Sequence, residues 1–76
     1  MQISIATITK LNPQKYYRVV DYYESYGTID RALTLKDARK IAKQHIDDTD
    51  GECDIAIIQY TYDTKTYKRT KEYNYA

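Results

Sequence analysis

The sequence predicts an α+β domain with the element order ββαββ: a four-stranded antiparallel sheet, strand order 2-1-3-4, with one helix packed on one face. Three observations predict it. Residues 54–62 (DIAIIQYTY) are the densest β-branched and aromatic run, and a second arm over residues 67–75 follows after Asp63-Thr64-Lys65-Thr66, which reads as a hairpin. Leu35, Ala38, Ile41, Ala42, His45 and Ile46 recur at helical spacing and make one apolar stripe. Two further strand-like runs, residues 1–9 and 15–24, precede that stripe.

Each element has its own signal. In residues 1–9, Ile3, Ile5, Ala6 and Ile8 place apolar groups on both faces, the pattern of a central strand. Leu11-Asn12-Pro13-Gln14 reads as a turn, because proline fixes its own φ and biases Asn12 away from helix. Tyr16, Tyr17, Val19, Val20, Tyr22 and Tyr23 fill a second strand paired with the first, and Arg18, Asp21 and Glu24 suit a sheet edge. Ser25-Tyr26-Gly27-Thr28 ends that strand, with Gly27 free to take positive φ, and residues 29–33 connect it to the helix. Thr34 caps the helix with Asp37 three residues on, and Leu33 can staple onto Ala38. The helix, about three turns long, cannot stand alone in water and must lie on the sheet. Gly51 turns the chain after the acidic run from Asp47 to Asp50. A helical crossover that steps over strand 1 gives the order 2-1-3-4 and puts the two most apolar strands in the centre.

Composition bounds the function. Seventy-six residues make one domain. A chain this short buries only about 60% of its unfolded surface. Its expected stability is roughly 3–5 kcal/mol, which favours a partner or a second copy of the chain. The formal net charge of +1 supplies no global field for nucleic acid or an anionic membrane. The single cysteine, Cys53, forms no intrachain disulfide and reads as a half-buried apolar thiol. No charged-then-apolar leader and no apolar run of roughly 18 residues is present, so the expected location is cytoplasmic and off the membrane.

Catalytic and metal chemistry find little footing. Aligning Asp50-Gly51 with a calcium loop puts Ile46 and Ile57 at ligand positions, so the acidic run Asp47–Glu52 reads as a solvated turn. One histidine, His45, with one distant cysteine is no metal set, and a Cys53–His45 nucleophile pair lacks an orienting third group. Two glycines in the whole chain leave no phosphate-cradling loop. No cofactor, metal or catalytic residue is expected, and the chain reads as a non-enzyme. The cationic helix face of Lys36, Arg39, Lys40 and Lys43 reads as solvated surface.

The hairpin surface is what remains. The chain has ten tyrosines and neither phenylalanine nor tryptophan, and a phenol wants one edge wet. A regular ladder closing at residues 63–66 puts Tyr62 opposite Tyr67, Tyr60 opposite Arg69, Ile58 opposite Lys71 and Ala56 opposite Tyr73, with Tyr75 beyond. Ile55 and Ile57 then meet the helix on the other face. Tyr60, Tyr62, Tyr67, Arg69, Lys71 and Tyr73 are the candidate partner-binding residues. A protein partner comes first, because Tyr and Arg dominate interface hot spots. Single-stranded nucleic acid is the alternative, with rings stacked on bases and Lys68, Arg69 and Lys71 on phosphates. A ladder of rings serving the fold alone is the third reading.

In style the chain resembles small phage-encoded accessory proteins that inhibit bacterial defence, the anti-CRISPR proteins among them. The short chain, the Tyr-rich strands, Thr34-Leu35-Lys36-Asp37-Ala38 opening a lone helix and the Tyr60-Thr61-Tyr62-Asp63-Thr64-Lys65 hairpin carry the resemblance. It implies a protein that binds and blocks, often as an oligomer.

Overall fold

A computed structural model describes residues 3–23 and 27–75. Its elements are α1 (Ile5–Leu11), β1 (Lys15–Asp21), β2 (Gly27–Ala32), α2 (Leu35–Asp48), β3 (Ile55–Asp63) and β4 (Thr66–Tyr75). The four strands form one sheet in the order β2-β1-β3-β4, and every neighbouring pair is antiparallel. α2 joins β2 to β3 across β1. The α+β class, the order 2-1-3-4 and a helix packed on one face all hold. The count of helices and the identity of the first two strands do not.

Ile5–Leu11 is a helix, not the expected first strand. Four β-branched residues there oppose helix by up to about 0.7 kcal/mol each. Local and tertiary terms outweigh that cost. The Ser4 hydroxyl accepts the Thr7 amide at 3.2 Å, a cap of about 1 kcal/mol. Asn12 closes the helix in the left-handed region at φ 49°, its amide donating to the Ile8 carbonyl. Ile8 is buried, which stabilises by roughly 1.5–3 kcal/mol. No slot for a strand remains beside β1, whose two edges are taken by β2 and β3.

β1 is therefore central rather than an edge. Tyr16, Tyr17, Val19 and Val20 are all buried, which requires cover on both faces. It does not pair with the segment before it: Pro13 links a helix to a strand, not two strands. The edge position belongs to β2, which includes most of the expected connecting chain, and Gly27 opens this strand instead of turning after another. Met1, Gln2, Glu24, Ser25 and Tyr26 lie outside the described residues.

α2 begins as the sequence predicts and runs longer, 14 residues. Thr34 Oγ1 accepts the Asp37 amide at 3.1 Å. Ala38 and Ala42 are fully buried, and their small side chains let the helix approach the sheet closely. Tyr17, Val19, Ala32, Ile55 and Ile57 supply the sheet side of this core, with Leu35, Ile41, Ile46 and Cys53 at its margin. Gly51, at φ +81°, ends the helix by donating to the Ile46 carbonyl at 2.9 Å. The other face of the sheet has a smaller core of Val20, Ala56 and Ile58, with Tyr60 packed on it.

Candidate functional site

The β3–β4 hairpin turns at Thr64-Lys65, with Thr64 at φ 56°, and Asp63 pairs with Thr66. Tyr62 stands opposite Tyr67 and Tyr60 opposite Arg69, as the regular ladder predicts. One step further the register shifts. Gln59 pairs with Lys71, and Thr70 has no opposite residue. This is a β-bulge, and it exchanges the faces of everything beyond it. Ile58 faces Glu72 instead of Lys71, Ala56 faces Asn74 instead of Tyr73, and Tyr73 faces Ile57. The Thr70 hydroxyl holds the bulge: it bonds Thr61 Oγ1 at 2.9 Å and takes the Gln59 amide nitrogen at 3.3 Å.

The six candidate residues therefore divide. Tyr60, Tyr62, Tyr67 and Arg69 share the face away from α2. Lys71 and Tyr73 lie on the α2 side, where Tyr73 packs on the main core and the Lys71 Nζ sits 5.1 Å from its ring centre. They are withdrawn from the candidate face for that reason. In exchange, β1 contributes two residues that sequence reasoning placed in a strand but did not single out, Tyr16 and Arg18. A signal for them existed: Tyr16, Arg18 and Val20 alternate with the core-facing Tyr17 and Val19.

The rings form one cluster over three strands' width. Tyr16 stacks on Tyr60 at 5.0 Å between centres and 8° between planes. Tyr67 stands edge-on to Tyr16 at 5.0 Å and to Tyr62 at 5.3 Å. Both geometries suit the aromatic quadrupole. The Arg18 guanidinium lies over the Tyr60 ring, 5.7 Å from its centre. Tyr67 donates its hydroxyl to the Pro13 carbonyl at 2.5 Å, fastening β4 to the segment between α1 and β1. Tyr16 is buried, Tyr60, Tyr62 and Tyr67 are half-buried, and Arg69 is exposed.

The electrostatics favour the neutral form of two of these phenols, Tyr16 and Tyr67. Burial, then the Tyr60 phenol, push the Tyr16 hydroxyl above its ordinary pKa, against the pull of Arg31 and Arg18. Burial, then Tyr62, raise Tyr67 as well. For Arg69, burial opposes the charge, but the Glu72 carboxylate and a hydrogen bond with Tyr22 outweigh it and raise its pKa. Arg69 and Glu72 form an ion pair on the strand surface.

His45 is committed elsewhere. Its Nε2 lies 2.9 Å from Asp21 Oδ2, while Asp21 Oδ1 accepts the Tyr23 amide at 2.9 Å and the Asp54 amide at 3.0 Å. This carboxylate joins the end of β1, the entry to β3 and the last turns of α2. Among the described residues, no helix is long and apolar enough to cross a membrane. No family model matches the chain, and neither a curated protein nor a solved structure matches it.

Proposed function

We propose that the chain is a non-enzymatic protein-binding module that acts by steric occlusion, in the manner of small phage inhibitors of bacterial defence. The docking surface is the sheet face away from α2. One observation carries the reading: Tyr16, Tyr60, Tyr62 and Tyr67 are already assembled into a packed cluster, between Arg18 and Arg69. Rings held in place before binding lose little conformational entropy on docking, and Tyr and Arg are the residues that anchor interfaces.

Single-stranded nucleic acid needs open ring faces on which bases stack. Tyr60 has Tyr16 stacked on it and Arg18 over it, so the most central ring has least to offer a base. That favours a protein surface. The test is capture of a partner from the native host by the tagged chain and by an Arg69→Ala, Tyr62→Ala double variant. Wild type is expected to retain a partner that the variant loses, with unchanged circular dichroism and no binding of a fluorescent oligonucleotide at moderate salt. Equal capture by a folded variant sinks the reading.

A further inference from the structure

α1 is seated on the sheet by few contacts. Ile5, Ile8 and Leu11 recur along one side of it, yet only Ile8 is buried, while Ile5 is 50% and Leu11 56% exposed. The hydroxyls of Ser4, Thr7 and Thr9 bond within the helix and its cap. Two polar contacts tie its ends to the strands. Before it, the Ile3 amide donates to Asp30 Oδ1 on β2 at 3.1 Å. After it, the Tyr67 hydroxyl reaches from β4 to the Pro13 carbonyl, with the C-cap Asn12 Oδ1 3.5 Å away. The chain joins the sheet at Gln14, whose carbonyl accepts the Tyr62 amide at 2.8 Å. Asn12-Pro13 is therefore the hinge between α1 and the sheet, and Tyr67 fastens that hinge. A helix of seven residues, four of them β-branched, does not persist in water by itself. α1 is helical only while these contacts seat it.

We propose that α1 is a strap that positions Tyr67 in the docking face. Tyr67 belongs to both structures: its ring stands edge-on to Tyr16 and Tyr62, and its hydroxyl holds the hinge. Seated, the strap keeps the Pro13 carbonyl where the Tyr67 hydroxyl donates to it. Lifting turns the hinge, withdraws that carbonyl and leaves the ring only its edge contacts. Such coupling is reciprocal. A packed Tyr67 favours the seated strap, and a seated strap favours the packed ring. A protein that covers the rings shields the Tyr67–Pro13 bond from water, where a hydrogen bond is stronger, so it selects the seated state. The docking face is complete only with α1 down.

The inference rests on the protein-binding reading for what the strap serves, and its test needs no partner. Relaxation-dispersion NMR of the whole chain follows the Ile8 and Asn12 amides, which bond the Ser4 and Ile8 carbonyls, and the Tyr67 ring. The Ala42 amide and the Tyr73 ring, on the α2 side, are the references. Local opening on the microsecond-to-millisecond scale is expected in α1 and Tyr67, with one shared rate, and not in the references. Ser4→Ala, exposed and away from the rings, is expected to raise the lifted fraction roughly fivefold, the worth of an N-cap, in both α1 and Tyr67. Tyr67→Phe is expected to raise it in α1 by roughly two- to tenfold, the worth of one hydrogen bond. Three results overturn the strap: no dispersion in α1 in any of the three proteins, a Tyr67 ring that does not follow α1 in Ser4→Ala, or an α1 unmoved by Tyr67→Phe. If the strap fails while the Arg69/Tyr62 variant still loses its captured partner, the docking face stands alone. If α1 and Tyr67 open together and capture is insensitive to that variant, the docking face falls and the strap stands.

Discussion

Tyr73 stands directly opposite Ile57, on the side of the sheet that packs against α2. It reaches that side only because Thr70 is an extra residue in β4. Deleting Thr70 leaves Tyr60 opposite Arg69 and brings Lys71, Glu72 and Tyr73 into unbroken register with Gln59, Ile58 and Ile57. A single deletion inside a strand ordinarily turns one half of it inside out. Here the Thr70 deletion is expected to keep the circular dichroism and a cooperative urea transition. It also straightens an edge strand that the bulge protects, so concentration-dependent association by light scattering is expected to rise. A deletion variant that is unfolded at low concentration contradicts the bulge.

Tyr16 distinguishes the ring from the hydroxyl. Its ring contacts Tyr60 and Tyr67 and is buried. Tyr16→Ala is expected to cost about 3–5 kcal/mol, as for other buried aromatics. That equals the whole stability expected of so small a domain, roughly 3–5 kcal/mol, so the variant should be largely unfolded. Tyr16→Phe keeps the ring contacts and should stay within about 1.5 kcal/mol of wild type in urea titration. A Phe variant as damaged as the Ala variant would mean that the hydroxyl, not the ring, holds the cluster.

The difference between what was legible and what was not follows the range of the signal. Thr34 with Asp37, the α2 stripe and Ile55 with Ile57 are local patterns, and each stands in the structure where the sequence predicts. α1 carried its caps openly in Ser4 and Asn12, but the isoleucines and threonines between them read as strand. β2 has Gly27 at its start and Ile29 out of step with its neighbours, and its strand character comes from pairing with β1 across a second register shift between Val19 and Val20. The bulge at Thr70 carries no glycine to mark it. Its cause is long-range, in the Thr61 and Gln59 side chains across the hairpin and in the room for Tyr73 on the helix side.

Asp21 predicts the acid limb of the stability curve. Burial alone would raise its pKa, yet the Asp54 and Tyr23 amides and the His45 side chain outweigh it and hold the carboxyl below the usual 3.8. The sign follows by linkage. A depressed pKa means that the native state favours the ionised form, so the contribution is complete at neutral pH. It is lost as pH falls from about 5 through the usual carboxylate value toward the depressed one. Asp21→Asn is expected to lower the urea midpoint at neutral pH and to flatten its decline on acidification. Parallel declines for wild type and variant would show that other carboxyls set the acid limb.

Apart from Asp37 in its first turn, α2 carries its charges against its own dipole. Lys36, Arg39, Lys40 and Lys43 occupy its first two and a half turns, while Asp47 and Asp48 sit at its end. Cations near the N-terminus and anions near the C-terminus each oppose the aligned peptide dipoles. Asp48 is partly compensated, since it accepts the Gln44 side-chain amide at 2.9 Å. Asp47 is exposed, and no side-chain hydrogen bond or ion pair of its own is seen among the described residues. Asp47→Lys is expected to stabilise the chain by roughly 0.3–1 kcal/mol at low ionic strength. Salt screens interactions between exposed charges, so the gain should shrink as ionic strength rises. Urea titration at two salt concentrations reads both effects. A variant no more stable than wild type at low salt would mean that the acidic end of α2 is held in place by contacts outside the helix.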